Sequence, residues 1–216
     1  QYEKELIPQQ QNEQILQEQQ RRSEGDFDKA LDSMSESREF IKNINFEEIT
    51  GDLDSDWKEI KYDGWPLLWT HYSRILPAKI ALLGIVDIMN EKNCGMIKLD
   101  EDCKAHIYDI AEELSEKLIE YEKEHNLKRE SKLSTGLPKP FPKDKKITPS
   151  QVMIEKRYKD RFIGKTRKSK ATGIESFDGM LSALGLITVF QKDGDIYVTL
   201  TEKGQKFYLQ DNPIIN

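Results

Sequence analysis

The chain has 216 residues, 37% of them hydrophobic and 33% charged, with a formal net charge of −6. That supports one large core or two small ones beneath a wet surface. It excludes a membrane-spanning helix, since no window approaches the roughly 20 uninterrupted apolar residues one needs. The start, Gln1-Tyr2-Glu3-Lys4, lacks the basic and apolar run of a signal peptide. Cys94 and Cys103, the only cysteines, exclude a disulfide framework and point to a reduced, cytoplasmic setting.

In chain order, residues 1–25 are rich in Gln, Glu and Arg, with Leu6, Ile7, Ile15 and Leu16 as their main apolar side chains. Such a segment buries too little surface to fold alone and reads as a Gln-rich polar extension, partly helical or disordered. From Asp26, a candidate cap, Phe27, Ala30, Leu31, Met34, Phe40, Ile41 and Ile44 recur at helical spacing. Trp57, Trp65 and Trp69 cluster with Tyr62, Leu67, Leu68 and Tyr72, a density of rings that belongs in a core. As a stacking platform for bases the cluster is opposed by Asp54, Asp56 and Asp63, which repel phosphate.

Pro77 suits the first turn of a helix, and Ile80, Leu82, Leu83, Ile85, Val86, Ile88 and Met89 follow so densely that this helix is buried on most sides. After an extended Met96-Ile97-Lys98-Leu99, Asp100 begins a second helix with Ile107, Ile110, Ala111, Leu114, Leu118, Ile119 and Tyr121 along one face. Residues 26–130 are therefore expected to form a helical domain containing a long helical hairpin. Glu116, Lys117, Glu120, Glu122, Lys123 and Glu124 suit an exposed face with Glu-to-Lys support along it, and the helix leaves room for continuation into a dimer coiled coil. Gly136 with Pro138, Pro140, Pro142 and Pro149 sustains neither helix nor central strand, so 131–147 reads as a Pro/Lys-rich linker and a domain boundary.

Beyond it, Thr148 and Pro149 cap a helix whose apolar stripe is Val152, Met153, Tyr158 and Phe162. A basic loop, 165–173, precedes a second helix marked over 174–184 by Ile174, Phe177, Met180, Leu181 and Leu184. Asp193-Gly194 between two β-rich runs, 186–190 and 196–200, is a hairpin signal, and Phe207, Tyr208 and Leu209 suggest a closing helix.

The order helix, basic loop, helix, Leu184-Gly185-Leu186-Ile187, hairpin, Leu200-Thr201-Glu202-Lys203-Gly204 resembles the winged helix-turn-helix domains of transcription regulators, including the MarR and PadR kinds and many archaeal regulators. The likeness covers about Lys146 to Leu209. It implies a mainly α fold: a helical N-terminal domain followed, over 148–216, by a winged helix-turn-helix domain with a two-stranded β wing. By that resemblance the helix 174–184 enters the major groove, with Thr172, Glu175, Ser176 and Ser182 as its polar candidates. Glu175 can accept from a cytosine amino group, but no Arg or Lys on the helix reads guanine.

Phosphate contacts would then fall to Lys165, Arg167, Lys168 and Lys170 in the basic loop and to Lys192 at the wing. Charge distribution agrees: Lys139 to Ile174 holds twelve Lys or Arg against Asp144, Glu155 and Asp160, a local +9 on a molecule that is otherwise acidic. The expected function is a double-stranded DNA-binding protein, a nucleoid-associated regulator or chromosome factor, with the helical half supplying a homodimer or partner contact. The alternative is an interaction adaptor whose winged helix is a docking module. No enzyme is expected, because there is no Gly-rich phosphate loop, nucleophile elbow or His-Glu-x-x-His signature. No cofactor or metal is expected either: Cys94, Cys103 and His106 lack a fourth ligand nearby, and His71 and His125 stand apart.

Overall fold

The dense apolar runs of the first half become helices. A computed structural model describes residues 31–32, 34–64, 75–141, 147–170 and 172–211. The expected extension 1–25, the Asp26 cap and the ring cluster around Trp65, Trp69 and Tyr72 lie outside these residues. Helix α1 spans Met34–Asn43 and buries Ile41, and α2 spans Phe46–Gly51, started by the Asn45 side chain accepting from the Glu48 amide at 3.2 Å. A two-residue strand, β1, follows at Lys58–Glu59.

Helix α3, Leu76–Glu91, has Pro77 in its first turn and is buried along nearly its whole length, as its apolar run requires. Strand β2, Met96–Lys98, leads to α4, Glu101–Glu124, where Asp100 accepts from the Cys103 amide at 2.9 Å. The two helices pack closely at Gly84, where an added Cβ would stand 2.8 Å from Cγ1 of Ile107. His106 Nε2, on α4, lies 2.9 Å from Asp87 Oδ2, on α3.

The later elements are α5 at Pro149–Tyr158, a π turn at Lys159–Ile163, strands β3 at Lys165–Lys168 and β4 at Glu175–Asp178, and a single turn, α6, at Met180–Ala183. Strands β5, Ile187–Lys192, and β6, Asp195–Leu200, form the expected hairpin, and α7, Glu202–Leu209, closes the chain. Gly194 takes a φ of +87° at the tip, where a side chain would be strained.

The larger sheet runs β1-β5-β6-β2 and is antiparallel throughout, with Ile97 opposite Val198, Val198 opposite Val189, and Glu59 opposite Phe190. A strand from between the first two long helices is thus hydrogen-bonded to the hairpin about a hundred residues later. One apolar core follows, joining Ile41, Ile80 and Ile107 to Leu181, Val198 and Tyr208. The architecture is mixed α/β, rich in helix around a small antiparallel sheet.

The expected boundary at 131–147 is therefore corrected, for one sheet and one core run across it. The described part of that segment is pinned: the Ser134 amide donates to Glu122 at 2.6 Å, the Phe141 amide donates to Glu112 at 3.2 Å, and Leu133 and Leu137 pack on the core. Prolines exclude regular structure but say nothing against packing.

Candidate nucleic-acid interface

Of the helix expected over 174–184 only the single turn α6 forms, and the first half is a strand. There β4 pairs with β3, which occupies the expected basic loop, in the register Lys165 to Asp178, Thr166 to Phe177, Arg167 to Ser176 and Lys168 to Glu175. Two glycines explain the failure of the helical spacing. Gly179, at φ +154°, approaches the Gly164 backbone so closely that an added Cβ would stand 2.6 Å from Gly164 Cα, and Gly164 itself has φ +130°. Their contact pinches the base of a hairpin that a continuous helix could not form. Phe177 still reaches the core, but Ile174 is 66% exposed near the tip rather than buried.

The residues of the expected site are only partly brought together. Lys165, Arg167, Lys168, Lys170, Thr172, Glu175 and Ser176 share one hairpin, whereas Ser182 lies on α6 and Lys192 ends β5. Ser176 is buried and donates to the Arg167 carbonyl at 3.3 Å. Ser182 donates to the carbonyls of Phe177 and Gly179, at 3.0 and 3.1 Å. Thr172 accepts from the Ile174 amide at 3.3 Å, which shapes the turn. These three hydroxyls bond their own backbone, as side chains of this kind do in turns.

The charges are compensated in the same way. Lys165 Nζ is 2.8 Å from Asp160, and Glu175 pairs with Lys58 at 3.6 Å. Arg167 is held by both Asp178 and Asp63, whose hydrogen bonds raise its already high pKa further. Lys192 is 3.5 Å from Asp54 and 4.9 Å from the centre of the Trp57 ring, an apolar and acidic seat that turns it toward the protein. So the expectation that five cations contact phosphate is corrected: Lys165, Arg167 and Lys192 face carboxylates of their own chain.

Lys168 and Lys170 stay exposed and make no ion pair among the described residues. The same holds for Lys156 and Arg157 on α5, which lay outside the expected site. Of the apolar stripe expected on that helix, Tyr158 and Phe162 face the core and Val152 and Met153 do not. Val152 and Met153 are exposed, with Ile154 beside them, while Glu155, Tyr158 and Lys159 are buried. Tyr158 then stacks edge-on against Tyr108 of α4, and Lys159 pairs with Glu155.

Among the described residues no group of three His, Cys, Asp or Glu could hold a metal ion, and no helix is long and apolar enough to cross a membrane. Compared with family models, with curated proteins and with solved structures, the chain matches none of them.

Proposed function

We propose that the chain is a winged helix-turn-helix protein that binds the phosphate backbone of duplex DNA through a basic hairpin and helix rather than through a recognition helix. In this reading the unit is larger than the sequence suggested: α3, β2 and α4 supply its first half, and α6, β5 and β6 its second. The order helix, strand, helix, then a hairpin that takes the earlier strand onto its second strand, supports it. The segment where a recognition helix belongs is occupied by α5, the π turn and the β3–β4 hairpin, and α6 is a single turn with Met180 and Leu181 buried. A two-stranded ribbon fits the major groove as a helix does.

The observation that carries the proposal is the set Lys156, Arg157, Lys168 and Lys170, exposed and unpaired among the described residues, on two elements joined through Gly164. The chain path limits the separation of Arg157 and Lys168 to about 24 Å, from the rise of helix and strand. That is less than one turn of duplex, so these two cations can reach the same turn of DNA. Binding is electrostatic and modest in sequence preference, because Thr172, Glu175, Ser176 and Ser182, which would read bases, are already bonded or ion-paired within the protein.

A salt titration on a short duplex tests this. Each phosphate contact contributes about 0.9 to the slope of log affinity against log salt, so replacing the four cations by Gln flattens it by about 3 to 4. Absence of retention at low salt, or an unchanged slope, ends the proposal. A second reading, the interaction adaptor, is favoured by the neighbouring exposed Val152, Met153 and Ile154. It requires a stable stoichiometric protein complex that is lost with Val152→Ser and Met153→Ser, without DNA affinity near physiological salt.

A further inference from the structure

A cleft of about 570 Å³ lies between the second half of α4 and the strap 132–140 that follows it. Three lysines line it, Lys123 from the helix and Lys132 and Lys139 from the strap, together with Glu116 and Glu120. All five side chains are exposed, and none pairs with another: the only ion pair any of them makes among the described residues is Lys132 to Glu122, at 4.0 Å, and Glu122 is not among the residues that line the cleft.

The charged groups thus line one cleft without neutralising each other, which leaves both signs available to a bound molecule. Ser115 also contributes to the wall, and its hydroxyl is buried without a partner. A turn about χ1 would offer it to an occupant. Ile119 and Leu137 give the cleft its apolar part, and the volume lies within the range of small-molecule sites.

We propose that this cleft binds a small phosphate ester bearing hydroxyl groups, a sugar phosphate or a nucleoside monophosphate. Lys123, Lys132 and Lys139 hold the phosphate, and Glu116 and Glu120 accept from the hydroxyls. Lysine is a point charge that suits phosphate, and paired carboxylates suit a diol. The site is distinct from the cations of α5 and the β3–β4 hairpin, so the inference stands or falls independently of DNA binding.

Calorimetric titration of the chain with glucose 6-phosphate, adenosine monophosphate, glucose and adenosine tests it. At least one ester binds with a Kd below about 1 mM, and its unphosphorylated parent binds about tenfold more weakly or not at all. Which ester binds separates the two sources. The double substitution Lys123→Gln with Lys139→Gln, at exposed positions that leave the melting temperature in place, weakens that ester about tenfold or more. Failure of both esters to bind, equal binding of the parent compound, or binding indifferent to the two lysines overturns the proposal.

Discussion

Gly204 lies so close to Leu186 that a Cβ added to it would collide with the Leu186 carbonyl oxygen. The contact joins the two motifs on which the family resemblance rested. Thr201 donates its hydroxyl to the Gly185 carbonyl at 2.7 Å and accepts from the Gly204 amide at 2.9 Å, and Lys203 reaches the Leu184 carbonyl at 2.5 Å. Leu184-Gly185-Leu186 and Thr201 to Gly204 are thus one joint, holding the start of β5 against the first turn of α7. Gly204→Ala is expected to cost about 1–3 kcal/mol by overpacking. Thermal denaturation checks it, and an unchanged melting temperature would contradict so close an approach.

Lys79 links α3 to the other end of α7. Its ammonium donates to the carbonyls of Phe207, Tyr208 and Gln210 at 2.8, 2.5 and 2.6 Å, supplying the helix end with donors. Burial, then the nearby Arg38, lowers its pKa from 10.5 to about 8, against an opposing pull from Asp211. The folded protein therefore releases this proton before the unfolded chain does, and between about pH 8 and 10.5 the unfolded state binds more protons. Stability owed to Lys79 is lowest below pH 8 and rises through that window. Urea midpoints of the native chain and of Lys79→Met, measured at pH 7.5 and 9.5, should diverge in favour of the native chain as pH rises. A gap that narrows would refute the assignment. Tyr208, pushed up to about 12 by burial, stays neutral meanwhile.

Cysteine chemistry gives a simpler check. Burial, with Asp100 adding to it, pushes the Cys103 thiol up to about 12, and burial also raises Cys94, which is only partly covered. Since the thiolate is the nucleophile, iodoacetamide at pH 8 should modify Cys94 slowly and Cys103 only after denaturation. Peptide masses would read this directly; native labelling of Cys103 at the rate of a free thiol would count against the packing of α4.

Sequence reading located the elements whose signals are local. The buried run of α3, the Asp100 cap of α4, the Asp193-Gly194 turn and the closing helix around Phe207 and Tyr208 each depend on a few neighbouring residues, and each stands where expected. What escaped depends on distant partners. Met96–Lys98 is too short to announce that it pairs with β6, so the larger sheet is not legible as one unit across the expected boundary. Ile174, Phe177, Met180 and Leu181 keep helical spacing, yet Gly179 must meet Gly164, and that tertiary contact decides for a strand. Charge was misread for the same reason: the +9 belt is visible in order along the chain, while Asp54 and Asp63, which neutralise Lys192 and Arg167, come from more than a hundred residues earlier.

That last point separates two kinds of cation on one hairpin, and mutation should separate them too. Arg167 sits between Asp63 and Asp178, tying the 58–63 segment to β4, a link reinforced by the Phe177 amide donating to the Lys61 carbonyl at 3.1 Å. Removing the guanidinium leaves two carboxylates facing each other without their shared counter-ion, so Arg167→Met should lower the melting temperature measurably. It should leave the salt dependence of DNA binding nearly unchanged, because a cation already paired within the protein releases few counter-ions from phosphate. Lys168→Gln with Lys170→Gln should do the reverse, flattening the salt slope by about 1 to 2 while the melting temperature stays in place. If Arg167→Met flattens the slope as much as the lysine pair does, the hairpin meets DNA through its acidic-neutralised face, and the division between structural and contacting cations drawn from Asp63 and Asp178 is wrong.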